Sequence, residues 1–277
     1  MRIGFIGYGS MGKMLINGFV SRMALAPQDI LVSTRTKEKL TGLADSHPKI
    51  VLAKDNGEVA RLSDLLFLCV KPLEVKGVLE NIREYLKRSN PNIVSIAACV
   101  TLDYLARIHP GRYTKVIPSL TSEIGCGISL LCHGPGVAQS EAIEIERLFG
   151  SISTVKSIQE GDFEAAADLT SCAPGMIAEI FRQFAEAGTR HSRLSLSDAE
   201  EMAISTLYGT AKLLLEGRMN FQDMITRVAT KGGITEEGIK QLRSGLPPVF
   251  DDVFHATLGK HETVKALLSA TMIPPLV

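Results

Sequence analysis

Three glycines at the spacing Gly7-x-Gly9-x-x-Gly12 open this chain, and no other feature restricts its fold as tightly. Arg2 to Ile6 is apolar enough for a buried parallel strand, and Lys13 to Val20 carries apolar residues at helical spacing. Strand, glycine turn and helix in that order mark a dinucleotide-binding βαβ unit. Gly7 permits the tight turn, and Gly9 lets the backbone approach a pyrophosphate. Gly12 lets the helix lie close to the strand. The free N–H groups of the helix start, around Ser10, Met11 and Gly12, together with the helix dipole, then hold phosphates. The competing reading is a glycine-rich turn with no ligand.

The pattern beyond the loop alternates strand and helix. Asp29–Arg35 reads as a second strand, and its end is where a dinucleotide's 2′-hydroxyl is recognised. An acidic residue there favours NAD, whereas a cation without it favours NADP. The residues present are Ser33, Thr34 and Arg35, with Lys37 just beyond. They predict a pocket for a 2′-phosphate, and hence NADP over NAD; the alternative is a solvated basic turn. Ile50–Leu52 is a short strand. Leu65–Val70 is a continuous apolar run, as in a strand covered on both faces, and it ends at Lys71-Pro72. Lys71 is read either as a contact to the cofactor ribose or as a solvated loop charge. Further strands are expected at Asn92–Ala97, Lys115–Pro118, Gly127–Leu131 and Ser151–Val155. Helices are expected at Val75–Leu86, from Thr101 with Asp103 in its first turn, and at Val137–Phe149. The expectation is an α/β chain: an N-terminal Rossmann-type doubly wound sheet over 1–157.

From Glu160 onward no strand pattern remains, and 158–277 reads as an all-helical domain. A long helix spans Gly161–Gly188, interrupted at Ala173-Pro174-Gly175, and a second spans Leu196–Gly217. Ala199, Met202, Ala203, Thr206, Leu207, Thr210, Ala211 and Leu214 line one face of the second, and Ile204, Tyr208 and Leu215 line another. A helix apolar on most sides needs burial, and a small domain has little core to offer. Burial in a symmetric dimer answers this; a central helix wrapped by its own neighbours is the alternative. Next, Gly232-Gly233 precedes a helix opening at or near Thr235, with Thr235 as its N-cap and Glu236 and Glu237 in its first turn. Glycines before a helix start leave N–H groups for a small carboxylate, or form an ordinary loop. Two more helical patches run to Ser269, and Thr271–Val277 reads as a loose tail.

Composition narrows the function classes. The 30 basic and 30 acidic residues cancel, so the charge footprint of a nucleic-acid or anionic-membrane binder is missing. No apolar run approaches a membrane span. A strand at residue 2 leaves no room for a signal peptide. The five cysteines form no CxxC or CxxH pair. They fit a reduced cytoplasmic protein with no metal site.

A nicotinamide domain followed by a helical one suggests hydride transfer to a small polar substrate. Alcohol dehydrogenation needs a general base, usually His or Lys. His191, His255 and His261 lie beside no glycine turn, and Gly161–Gly188 contains no lysine. Reduction of a C=N bond needs less, because an iminium is already activated. The sparse acid–base inventory leans toward imine reduction.

The run Gly7-Tyr-Gly-Ser-Met-Gly12, then Val70-Lys-Pro72, Ser95-Ile-Ala-Ala98, Ile117-Pro118, Ser171-Cys-Ala-Pro174 and Lys231-Gly-Gly-Ile-Thr235, resembles the pyrroline-5-carboxylate reductase family through nearly the whole chain. That resemblance implies NADPH- or NADH-dependent reduction of the ring imine of 1-pyrroline-5-carboxylate to L-proline. It implies a Rossmann domain and a helical dimerisation domain with interlocked subunits, giving homodimers and often higher assemblies. It implies that the substrate carboxylate rests on Gly232 and Gly233, with the Thr235 hydroxyl near the ring nitrogen as the catalytic group. Val70, Lys71, Pro72 and Ala97 would flank the cofactor. The chain departs from the family pattern at Ile117-Pro118-Ser119 and Thr121, at Thr170–Gly175 and at Thr230–Thr235, where the family has Met-Pro-Asn, a proline, Ser-Gly-Ser-Gly-Pro-Ala and Ser-Pro-Gly-Gly-Thr-Thr. These changes surround the expected substrate pocket and are similar to those of a divergent branch associated with late-competence operons. Lys231 adds a cation for a carboxylate or marks a different substrate. The alternatives are a reductase of another small imine or keto acid, and a non-catalytic nucleotide-binding paralogue.

Overall fold

The computed structural model describes residues 1–272. Among them, eight strands form one sheet in the order β3-β2-β1-β4-β5-β6-β7-β8. The strands are β1 (Ile3–Ile6), β2 (Ile30–Ser33), β3 (Val51–Leu52), β4 (Leu65–Leu68), β5 (Asn92–Ser95), β6 (Arg112–Ile117), β7 (Gly127–His133) and β8 (Ser153–Ser157). All neighbours pair in parallel except β6 and β7, which are antiparallel. After β3 the chain returns to the far side of β1. The switch point, and so the ligand crevice of such a sheet, therefore lies at the carboxyl ends of β1 and β4.

The helices of this part are α1 (Ser10–Ser21), α2 (Thr41–Ser46), α3 (Asn56–Leu62), α4 (Val75–Ser89), α5 (Leu102–Ile108) and α6 (Gln139–Gly150). The central strands are buried throughout because both faces are covered. On one side Phe5, Phe67, Phe19 and Phe149 pack together, Phe5 stacking on Phe67 with ring centres 4.6 Å apart. On the other, Ile6, Leu66 and Leu68 meet Val59, Leu79, Ile82 and Leu105. Period-2 alternation thus places successive residues of one apolar run in two different cores, and each fully buried large side chain contributes about 1.5–3 kcal/mol.

Strand ends depart from the sequence reading by a few residues. Asp29 lies in a 3-10 turn (Pro27–Asp29) before β2, and Lys37–Leu40 forms another before α2. Thr101 is the N-cap of α5, its hydroxyl accepting from Tyr104 N–H at 3.0 Å.

The later helices are α7 (Phe163–Ala167), α8 (Ala173–Arg190), α9 (Leu196–Glu216), α10 (Phe221–Val228) and α11 (Ile234–Thr271). The interruption expected at Ala173–Gly175 falls earlier, in a π turn over Asp168–Cys172. Pro174 has no N–H for the carbonyl four residues back, that of Thr170. The Ser119 hydroxyl donates to that carbonyl instead, at 3.0 Å. One further helix was missed and one further expectation is corrected. α10 was not foreseen, although Asn220 and Asp223 form a reciprocal capping box at its start. The two helical patches expected up to Ser269 are one helix of 38 residues that continues through Pro247-Pro248. Thr271 of the predicted tail ends that helix, and 273–277 lie outside the described residues.

Contacts group the chain into two units, one formed by Met1–Cys172 with the chain from Leu258, the other by Ala173–Thr257. In the second unit α8 and α9 meet through Ala185, Ala199 and Ala203, with Phe181 packed beside them. Elsewhere on the predicted apolar surface of α9, Leu207, Thr210 and Leu214 are half-buried, while Ile204 is 64% exposed, Tyr208 67% and Leu215 80%.

Candidate dinucleotide-binding site

The glycine loop has a separate geometric reason for each glycine. Gly7 has φ +103°, and a Cβ there would stand 2.4 Å from the carbonyl oxygen of Cys69. Its N–H donates to Ser33 O at 2.8 Å, holding β1 and β2 together at their carboxyl ends. A Cβ on Gly12 would fall 2.6 Å from the Gly7 carbonyl oxygen and 3.2 Å from Cys69 Cβ. α1 therefore lies against its own strand at backbone distance. Gly9 is the opposite case: nothing stands within 4 Å of where its Cβ would be. It is the N-cap of α1, and no side chain caps the helix. The first intrahelical bond runs from Lys13 N–H to Gly9 O at 2.9 Å. The N–H groups of Ser10, Met11 and Gly12 thus have no acceptor within the helix and point out of its positive end. This open, unscreened cradle fits a pyrophosphate.

A groove of about 480 Å³ adjoins the loop. Gly9, Ser10, Lys13 and Asn17 form one wall, and Lys39 and Ser46 contribute to the other. Lys13 and Lys39 bring positive charge to it. The sequence reading missed both, because lysines on amphipathic helices ordinarily read as solvated surface; the position of Lys13 directly after Gly12 was the available signal.

Ser33 is buried at the end of β2, and its hydroxyl donates to Asn56 Oδ1 at 2.9 Å. That contact places Asn56, the first residue of α3 and absent from the sequence reading, at the mouth of the crevice. Thr34 is half-buried and Arg35 exposed. The Arg35 guanidinium pairs with the Glu74 carboxylate at 3.0 Å. Glu74 also accepts the Lys71 N–H at 3.3 Å. Pro72 opens the 3-10 turn Pro72–Glu74 that carries this carboxylate. The ends of β2 and β4, the two neighbours of β1, are thereby joined by an exposed ion pair of the weak, exchangeable kind. Val70 is half-buried beside Lys71, whose side chain is exposed, and Ala97 is buried just past the end of β5.

The residues predicted for the substrate lie in the second unit. Lys231, Gly232 and Thr235 are exposed. The helix starts one residue earlier than expected, at Ile234, so Thr235 is its second residue and not its N-cap. The amides expected to be free are engaged: Gly232 N–H donates to Glu236 Oε2 at 2.7 Å and Gly233 N–H to Thr230 O at 2.9 Å. The first N–H groups of α11 without an intrahelical acceptor are those of Ile234 and Thr235, since Glu236 N–H already reaches Gly233 O at 3.1 Å. A carboxylate of the chain itself, that of Glu236, therefore sits on the glycine turn.

Residues 160–264 match the family model for pyrroline-5-carboxylate reductase dimerisation, and residues 2–99 match that described as NADP oxidoreductase, coenzyme F420-dependent. The chain is 39% identical to pyrroline-5-carboxylate reductase 3 of Bacillus subtilis, over 94% of this chain and 96% of that one. It is 31% identical to ComE operon protein 4 of the same organism, over 95% and 96%. The solved pyrroline-5-carboxylate reductase of Coxiella burnetii superposes with a TM-score of 0.86 at 25% identity, covering 95% of this chain and 98% of that one. With the strand–glycine turn–helix cradle at one end of the chain and a reductase-type dimerisation segment at the other, the chain belongs to the pyrroline-5-carboxylate reductase family.

Proposed function

We propose that this protein reduces 1-pyrroline-5-carboxylate to L-proline with NADPH, and with NADH less well. The open cradle of Gly9 and the Ser10–Gly12 amides carries the reading, supported by 39% identity to a named reductase over almost the full length. The bound coenzyme supplies a hydride from its reduced ring to the imine carbon, and the ring nitrogen retains a proton as it becomes an amine. The chain's part is to bind and orient. The first turn of α1 holds the pyrophosphate. Ser33, Thr34 and Arg35 receive the 2′-phosphate, Arg35 exchanging the Glu74 carboxylate for it. Val70, Lys71, Pro72 and Ala97 border the nicotinamide half. The substrate carboxylate takes the place of the Glu236 carboxylate at the Gly232 N–H, on the turn of Gly232 and Gly233, and Lys231 adds charge. The Thr235 hydroxyl orients the ring nitrogen. Because the iminium is already electrophilic, no strong acid or base is required. Dinucleotide binding is assigned to 1–157 and dimerisation to 158–277.

The apolar stripe of α9 calls for a second copy of the chain. With Ile204, Tyr208 and Leu215 open to water, the helical unit leaves apolar area of the kind that marks an interface. A homodimer through the C-terminal helices covers it, with room for higher assemblies. None of the five cysteines is disulfide-bonded, and among the described residues no helix is long and apolar enough to cross a membrane. These observations support the cytoplasm as the place of action.

Three measurements check this account. Loss of nicotinamide absorbance should accompany addition of 1-pyrroline-5-carboxylate, and Thr235→Ala should lower turnover about ten- to hundredfold with NADPH affinity unchanged. No turnover with this imine, but turnover with another member of an imine and 2-keto-acid panel, would replace the substrate. Arg35→Ala should weaken NADPH binding about tenfold and NADH less than twofold in a fluorescence titration; equal effects remove Arg35 from phosphate recognition. Ile204→Glu should convert the dimer to monomer in sedimentation velocity, and an unchanged assembly would place the interface elsewhere.

A further inference from the structure

The chain turns sharply after β5. Val100 N–H donates to Ala97 O at 3.4 Å, closing a β-turn over residues 97–100. Cys99 is the third residue of that turn, at φ +64°, while Ala98 is not among the residues of positive φ. That combination is a type II turn, whose third position favours glycine or asparagine. A cysteine there is held in an unfavourable backbone conformation, and such strain persists only where surrounding contacts enforce it.

The contact that enforces it comes from α11. Cys99 Sγ lies 3.1 Å from His261 Nδ1, near the end of α11. Burial, with the Glu164 carboxylate adding to it, pushes the Cys99 thiol up. With the imidazole hydrogen on Nε2, the thiol donates to Nδ1 and Nε2 faces the buried Asp168 carboxylate at 3.8 Å. Asp168 belongs to the π turn and also engages the Cys172 thiol. That turn is fastened to the loop after β6, where Ser171 donates to Pro118 O and Ser119 to Thr170 O, each at 3.0 Å. One imidazole thus ties together the loops at the carboxyl ends of β5 and β6. Its surroundings are charged. Lys115 of β6 is buried 3.8 Å from Glu164 and 4.0 Å from Glu160, and Lys265 of α11 reaches Glu164 at 3.4 Å. Glu160 in turn accepts Leu102 N–H at 2.7 Å, fixing the start of α5 just beyond the turn.

We propose that His261 is a positioning residue for the nicotinamide end of the crevice: through the Cys99 thiol it holds the Ala97–Val100 turn in the conformation that presents Ala97 to the coenzyme. The proposal rests on the dinucleotide reading above. His261 does not touch the reacting atoms; it acts through the turn.

The test is a double-mutant cycle read by NADPH fluorescence titration on the full chain, with folding followed by circular dichroism. His261→Ala should weaken NADPH about fivefold in the native background but less than twofold in the Cys99→Gly background, because a glycine adopts this φ unaided. His261→Asn places an oxygen near the Nδ1 position as acceptor for the thiol, and should stay within about twofold of the native protein. It also serves if the alanine variant does not fold. A penalty of the same size in both backgrounds, or a fivefold loss in the asparagine variant, would overturn the proposal, because the histidine would then merely anchor the helix end. Absence of NADPH binding to the native protein would instead defeat the dinucleotide reading on which it stands.

Discussion

The contact on which most of this molecule depends is a backbone approach: the first turn of α1 against the strand that precedes it. The place of the missing Cβ of Gly12 lies 2.6 Å from the Gly7 carbonyl oxygen. No side chain fits there, so the helix start is drawn down to the carboxyl end of the sheet. That fixes where the free amides of Ser10, Met11 and Gly12 point. The same approach sets the depth at which Phe19 of α1 reaches the Phe5–Phe67 stack. Packing and site are therefore two consequences of one geometry: what closes the core on one side opens an anion cradle at its end.

The helical unit follows another logic. Its internal contacts use alanines, which bring α8 and α9 close but bury little area. The large apolar residues are turned outward. The homodimer proposed above would cover them. α11 shows the same economy, a single long helix whose last turns pack with the α/β unit, Leu268 joining the core beside Leu79 and Leu105.

Local pattern carried a great deal of this in advance. The glycine spacing, the continuous apolar run Leu65–Val70 and the helix start at Thr101 are each set by residues a few positions apart, and they were legible for that reason. The hydrophobic stripe of α9 was equally plain. What escaped was set by partners distant in sequence. The Arg35–Glu74 pair spans 39 residues, Ser119–Thr170 spans 51 and Cys99–His261 spans 162. No periodicity reports such pairs. Pro174 was noticed, but the break moved upstream because the orphaned carbonyl found a hydroxyl in another loop. The engagement of Gly232 by Glu236 was local and could have been anticipated: an acid four residues beyond a free amide at a helix start is a capping arrangement. α10 was missed despite a readable box at Asn220 and Asp223, because eight residues offer too little periodicity to register.

The central claim is that the amides opening α1 hold the pyrophosphate of a nicotinamide dinucleotide. A crystal structure of the protein with NADPH tests it most directly. The account predicts pyrophosphate oxygens within about 2.7–3.2 Å of the N–H groups of Ser10, Met11 or Gly12, with the adenosine half running toward Ser33 and Arg35. A coenzyme seated elsewhere, with that helix start facing only water, would contradict it.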